Sequence, residues 1–139
     1  DQGHSLMVIG LLGTICQLTW NQGDDFYGLD DNRVLKATEY TAKYNVAQLN
    51  VPFKAYTRYY GANCTQSETH TAISSSGRGG VRPIWTAPYY HYTKVKKLAA
   101  TYTGMGVQQT HPEGGGGDYG STSGGYDHLG FGTLMFALD

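Results

Sequence analysis

Cysteine, proline and charge are all scarce in this 139-residue chain. It has two cysteines, four prolines, 15% charged residues and a net charge of -1. The histidines (His4, His70, His91, His111 and His128) form no His-x-x-x-His pair, and there is no Cys-x-x-Cys, so no metal site is expected. The small net charge supplies no long-range field, which argues against nucleic acid and anionic membrane as partners. No apolar run is expected to span a bilayer, because Gly10, Gly13 and Thr14 break the stretch over residues 6–16. Neither a Gly-x-Ser-x-Gly nucleophile elbow nor a Gly-Lys-Ser/Thr phosphate loop is present. Neither cysteine has a basic neighbour that would mark a reactive thiolate. No basic leader with a cleavage site stands at the start, and the opening DQGHS has no initiator Met, which reads as a processed or truncated product.

Tyrosine and glycine are abundant instead, at twelve and twenty residues. Low charge with high tyrosine content points to an extracellular protein. Asn63-Cys64-Thr65 is an N-glycosylation sequon, which agrees with that compartment. Cys16 and Cys64 could pair with each other, or Cys64 with a segment outside this chain. Nine glycines fall between Gly114 and Gly132, interleaved with Glu113, Asp118, Tyr119, Tyr126 and Asp127. Acidic and aromatic residues at that density argue against a plain flexible linker. The stretch reads either as a surface loop feeding a last strand or as a loop packed over a site.

The chain is one domain's worth of sequence and reads as mainly α. Residues 5–21 are apolar at helical spacing on most sides, so they form a buried helix in which Gly10 and Gly13 allow a close crossing. Asp30 or Asp31 caps a second helix over residues 32–44. Residues 46–80 show no sustained period and read as a long irregular loop. A third helix is expected over residues 82–98, with Pro88 kinking it or delaying its regular start. A weak fourth covers residues 101–110, and residues 129–138 form a β-like tail. So few helices make a thin core, and the first is too apolar to face water. That is a physical reason to expect a further helical segment packed against it.

Arg82, Tyr89, Tyr90 and His91 cluster near the start of the third helix, and Arg58, Tyr59 and Tyr60 lie in the long loop. Arginine, histidine and tyrosine together suit proton abstraction beside a carboxylate. A cation or amide neutralises the carboxylate, a His or Tyr takes the α-proton, and a Tyr protonates the leaving oxygen. The competing reading makes Tyr89 and Tyr92 core aromatics and Arg82 half of an ion pair.

Three segments carry a resemblance. They are residues 1–45 with the DQGH motif, residues 81–92 (VRPIWTAPYYHY), and residues 111–134 (HPEGGGGDYGSTSGGYDHLGFGTL). Together they resemble the C-terminal part of the alginate-lyase-like family of secreted polysaccharide lyases. The resemblance implies the C-terminal portion of an (α/α) toroid or incomplete barrel, with residues 1–139 forming a partial domain whose N-terminal helices lie elsewhere. It implies β-elimination on a uronic-acid polysaccharide such as alginate or glucuronan, with no organic cofactor. A second, N-terminal chain or segment of the same precursor would be a partner. His4, Arg82, Tyr89 and His91 carry over as catalytic or cleft candidates; Tyr59, Tyr60, Tyr90, Asp118 and Tyr119 are candidate sugar contacts, although residues 46–80 match the family poorly. Where related sequences tend to read Trp-Glu and Tyr-Asn-His-Tyr, this chain has Thr86 and Tyr90 in place of the Glu and the Asn, and Pro88 where an apolar helix former is usual. These departures favour an alternative: a non-catalytic secreted carbohydrate-binding or defence protein on a lyase scaffold.

Overall fold

The computed structural model describes residues 1–113 and 128–137, and the chain is mainly α with one small sheet. Helix α1 (Gln2–Asn21) begins where Asp1 accepts a hydrogen bond from the His4 backbone N–H at 3.1 Å. It ends before Gly23, whose φ of +96° lets the chain reverse. One face buries Leu6, Ile9, Gly13 and Cys16. The opposite face leaves Val8, Leu11, Ile15 and Leu18 each about half exposed. The helix is twenty residues long, an 18-residue window of it has a mean hydropathy of 1.2, and by length and composition alone it could cross a membrane. This revises the sequence expectation, because glycines that interrupt an apolar run do not interrupt the helix that carries it.

Helix α2 (Leu29–Asn45) opens with a left-handed turn: Asp30, Asp31 and Asn32 all have φ between 50° and 56°. Short polar side chains are the non-glycine residues that tolerate this conformation. Regular helix follows from Arg33, close to the expected start, but Asp30 and Asp31 do not cap it. Their carboxylates instead pair with Arg33 and Lys36.

Residues 46–80 are not wholly irregular. Strands β1 (Tyr56–Tyr60) and β2 (Gln66–His70) pair antiparallel, with Arg58 opposite Glu68 and Thr57 opposite Thr69. The Arg58 guanidinium reaches the Glu68 carboxylate at 2.8 Å, and the two threonine hydroxyls lie 2.8 Å apart. Almost every residue of the hairpin is exposed, so neither face is apolar. An alternating pattern is therefore missing from the sequence, although tyrosine and threonine favour strands. The following segment returns to the core: the Arg78 guanidinium lies 3.9 Å over the Tyr44 ring, and the Gln2 backbone N–H donates to the Ser76 carbonyl at 2.7 Å.

Helix α3 (Thr86–Tyr90) starts four residues later than expected, then widens into a π-helical turn over His91–Val95. Pro88 sits in its first turn, where a backbone donor has no partner to lose, so it delays the helix without kinking it. Arg82 lies before the helix, and so it does not share a helical face with Tyr89. Helix α4 (Thr101–Thr110) forms where expected. The tail is helical rather than β-like: α5 spans Gly132–Phe136.

Among the described residues two clusters make the core. Leu6, Ile9, Ala42, Ile84, Trp85 and Val107 join α1, α2, α4 and the approach to α3. Cys16, Tyr27, Tyr92 and Ala100 form the second cluster. The Tyr92 hydroxyl donates to the Tyr27 carbonyl at 2.8 Å, which satisfies it inside the second cluster.

Candidate functional site

Helices α3 and α4 border a groove of about 320 Å³ lined by Tyr89, Tyr90, Gly104, Val107, Gln108 and His111. The close approach of the helices at this point depends on Gly104. A Cβ there would stand 2.8 Å from Tyr89 Cε2, so a glycine lets the tyrosine ring lie against α4. The Tyr90 ring meets Tyr89 edge to face at 5.2 Å. His111 follows the last residue of α4 and is exposed at the groove edge.

Behind His111 runs a line of hydrogen bonds. His111 Nδ1 is 3.0 Å from Thr133 Oγ1, and the Thr133 hydroxyl donates to the Glu113 carboxylate. The Thr133 backbone N–H donates to the same carboxylate at 2.9 Å, and the Thr86 hydroxyl donates to its other oxygen. Burial alone would push the Glu113 carboxyl up, but the hydrogen bonds from Thr133 and Thr86 outweigh it and hold the group below its usual value. Gly132 makes the convergence possible. A Cβ at that position would lie 2.9 Å from Thr86 Cβ and 3.1 Å from Glu113 Oε1.

The residues nominated from the sequence are dispersed and do not form one site. Tyr89 and Tyr90 line the groove. His91, two residues on, is 4% exposed; it stacks on Tyr27 at 3.7 Å and takes the edge of Trp20 at 4.7 Å. Its Nε2 is buried without a hydrogen-bond partner, and burial, followed by the nearby Lys96 charge, lowers its pKa to about 4. Lys96 also pairs with Asp25 at 2.5 Å, and that hydrogen bond is the main cause holding the Asp25 carboxyl down. His91 therefore belongs to the core and not to the groove.

His4 is exposed at the start of α1, with Nδ1 2.8 Å from Asp1. Arg82 is half-buried and does not line the groove. Tyr59 and Tyr60 sit at successive positions of β1, so they face opposite sides of the hairpin and do not make one stacking surface. Asn63 is exposed in the short turn Ala62–Cys64 that joins the strands, accessible as a sequon requires. Both cysteines are free: Cys16 is buried and Cys64 is exposed at the hairpin turn. Burial, then the Asp25 charge, raises the Cys16 thiol pKa, which makes it a poor nucleophile. Asp118 and Tyr119 lie outside the described residues.

Sequence reasoning missed Gln108, His111, Glu113, Thr133 and Thr86 as site residues. The signal available was a histidine two residues from a glutamate at the mouth of the glycine stretch. Nothing local in the sequence showed that Thr133 would fold back to join them. Among the described residues no group of three or more His, Cys, Asp or Glu side chains could hold a metal ion.

A second pocket, of about 250 Å³, lies between α1 and the α5 segment. Its walls include Gly10, Gly13, Ile84, Phe131 and Met135, and among the described lining residues His128 is the one ionisable side chain. It offers an apolar slot with little chemistry beside it.

Comparisons of the chain with protein-family models, with characterised proteins and with solved structures give no match.

Proposed function

We propose that this chain carries the active groove of a lyase that cleaves a uronic-acid polysaccharide, of the alginate or glucuronan type, by β-elimination. The observation that carries the reading is the convergence of two tyrosines, an amide and a carboxylate-backed histidine on one open groove. In the reaction, His111 takes the proton from the carbon α to the uronate carboxylate. The released electron pair forms the carbon–carbon double bond, and the bond from the β carbon to the glycosidic oxygen breaks. The hydroxyl of Tyr89 or Tyr90 gives its proton to that leaving oxygen. The two side chains then exchange protons with water and return to their starting states. On this reading the Gln108 amide, which lines the groove, donates to the substrate carboxylate, and a sugar stacks on the tyrosine rings.

This reading assigns His111 the role that the family resemblance gave to His4 or His91. It also takes the protein as extracellular, glycosylated at Asn63, and part of a larger helical domain. The apolar outer stripe of α1, Val8, Leu11, Ile15 and Leu18, is the surface that a further N-terminal segment or chain of the precursor would cover. Intact mass of the native protein, reduced and unreduced, tests that partner. A single stable species of this chain's own mass would contradict it.

A second reading, a non-catalytic glycan-binding or defence protein, is favoured by one observation: among the described residues no arginine or lysine lines the groove to neutralise a uronate. Glycan binding that survives His111→Ala, with no unsaturated product from any polyuronate, would support that reading over the lyase.

A further inference from the structure

Glu113 accepts three hydrogen bonds, from the Thr86 hydroxyl, the Thr133 backbone N–H at 2.9 Å and the Thr133 hydroxyl. An ionised carboxylate can only accept, so every proton in these contacts belongs to the partner. A threonine hydroxyl has a single proton. Once Thr133 gives it to Glu113, the oxygen that stands 3.0 Å from His111 Nδ1 presents a lone pair. The contact is then satisfied only if Nδ1 carries the hydrogen. In a neutral imidazole with Nδ1 protonated, Nε2 is the basic nitrogen.

We infer that Glu113 and Thr133 are positioning residues that hold His111 in its Nδ1–H tautomer and leave Nε2 as a proton acceptor at the groove. The use of that acceptor in catalysis rests on the lyase reading, whereas the tautomer itself does not. The arrangement is built from three separate parts of the chain: Thr86 at the start of α3, Glu113 beyond the end of α4, and Thr133 in α5. The bare backbone of Gly132 allows them to meet, because a side chain there would collide with Thr86. The logic is that of an oriented histidine whose second partner sets which nitrogen can act. Here a threonine hydroxyl stands between the carboxylate and the ring.

Nitrogen-15 NMR of the full chain, with labelled histidine in mildly alkaline buffer, reads the tautomer directly. The wild-type His111 signal is expected to show a protonated Nδ1 and an unprotonated Nε2. Thr133→Val keeps the side-chain volume and removes the hydroxyl, so His111 is expected to shift to a predominantly Nε2–H ring. Thr133→Ser, which keeps the hydroxyl, is expected to match the wild type. On a polyuronate substrate, Thr133→Val is expected to lower kcat about tenfold or more with KM nearly unchanged, and Thr133→Ser to restore it. A wild-type ring protonated on Nε2, or a tautomer that Thr133→Val leaves unchanged, would overturn the inference. An Nδ1–H ring in a protein that yields no product from any polyuronate would instead overturn the lyase reading alone.

Discussion

Glu39, on α2, caps α4 through Thr103. The carboxylate accepts the Thr103 backbone N–H at 2.7 Å, the Thr103 hydroxyl at 2.7 Å and the Tyr102 backbone N–H at 3.1 Å. Ala100, at the helix's own cap position, has no side chain able to do this. The cap is thus supplied across the core, and it fixes the helix that carries Gln108 and leads into His111. Glu39→Ala is expected to cost about 2 kcal/mol, read as a lowered denaturant midpoint. Glu39→Gln keeps one acceptor oxygen and is expected to lose less.

Two glycines three residues apart on α1 make a paired test. A Cβ at Gly10 would lie 2.0 Å from the buried His128 ring, whereas one at Gly13 would meet Pro88 Cδ at 3.5 Å, an ordinary contact. Alanine gains roughly 1 kcal/mol over glycine in a helix interior. At position 13 that gain should stand, and Gly13→Ala is expected to be neutral or mildly stabilising. At position 10 the whole ring must move, and Gly10→Ala is expected to destabilise by about 1–3 kcal/mol. Thermal or urea unfolding of the two variants checks the opposite signs.

His91 predicts a pH dependence. Its folded pKa is about 4, below the ordinary histidine value near 6.5, because burial disfavours the charged ring and Lys96 adds to the effect. The unfolded chain therefore takes up a proton at higher pH than the folded one. The stability that the neutral ring contributes is full above pH ~6.5, falls as pH drops towards 4, and is lost below that, in total about 3 kcal/mol. His91→Phe keeps the stack on Tyr27 and removes the titrating group. Urea unfolding at several pH values across this window should show a slope in the wild type that His91→Phe largely flattens.

The parts of the fold that the sequence made legible are those governed by one helical face against the core. Helices α1, α2 and α4 stand within a few residues of expectation, but of the two glycines expected at a close helix crossing Gly10 lies tight against the His128 ring while Gly13 makes only an ordinary contact with Pro88. The hairpin was illegible because exposed strands carry no alternation. The apolar pattern starts helix α3 too early because Ile84 and Trp85 are buried without being helical. An apolar tail after glycines suggested a strand, whereas α5 is a short helix anchored by Thr133 on Glu113. For the site, Tyr89 and Tyr90 were found because aromatic residues cluster there in sequence. The same clustering does not place His91, because a residue two positions from Tyr89 turns into the core on the opposite side. The histidine of the groove, His111, owes its setting to a residue more than twenty positions away, and such a contact leaves no local pattern.

The most direct test is incubation of the native protein with alginate and polyglucuronate while following the ultraviolet absorbance of the unsaturated product. The account predicts product from at least one polyuronate, at a rate cut by about 100-fold or more in His111→Ala and left nearly intact in His4→Ala. No product from any polyuronate, or a His111→Ala variant as active as the wild type, would contradict it.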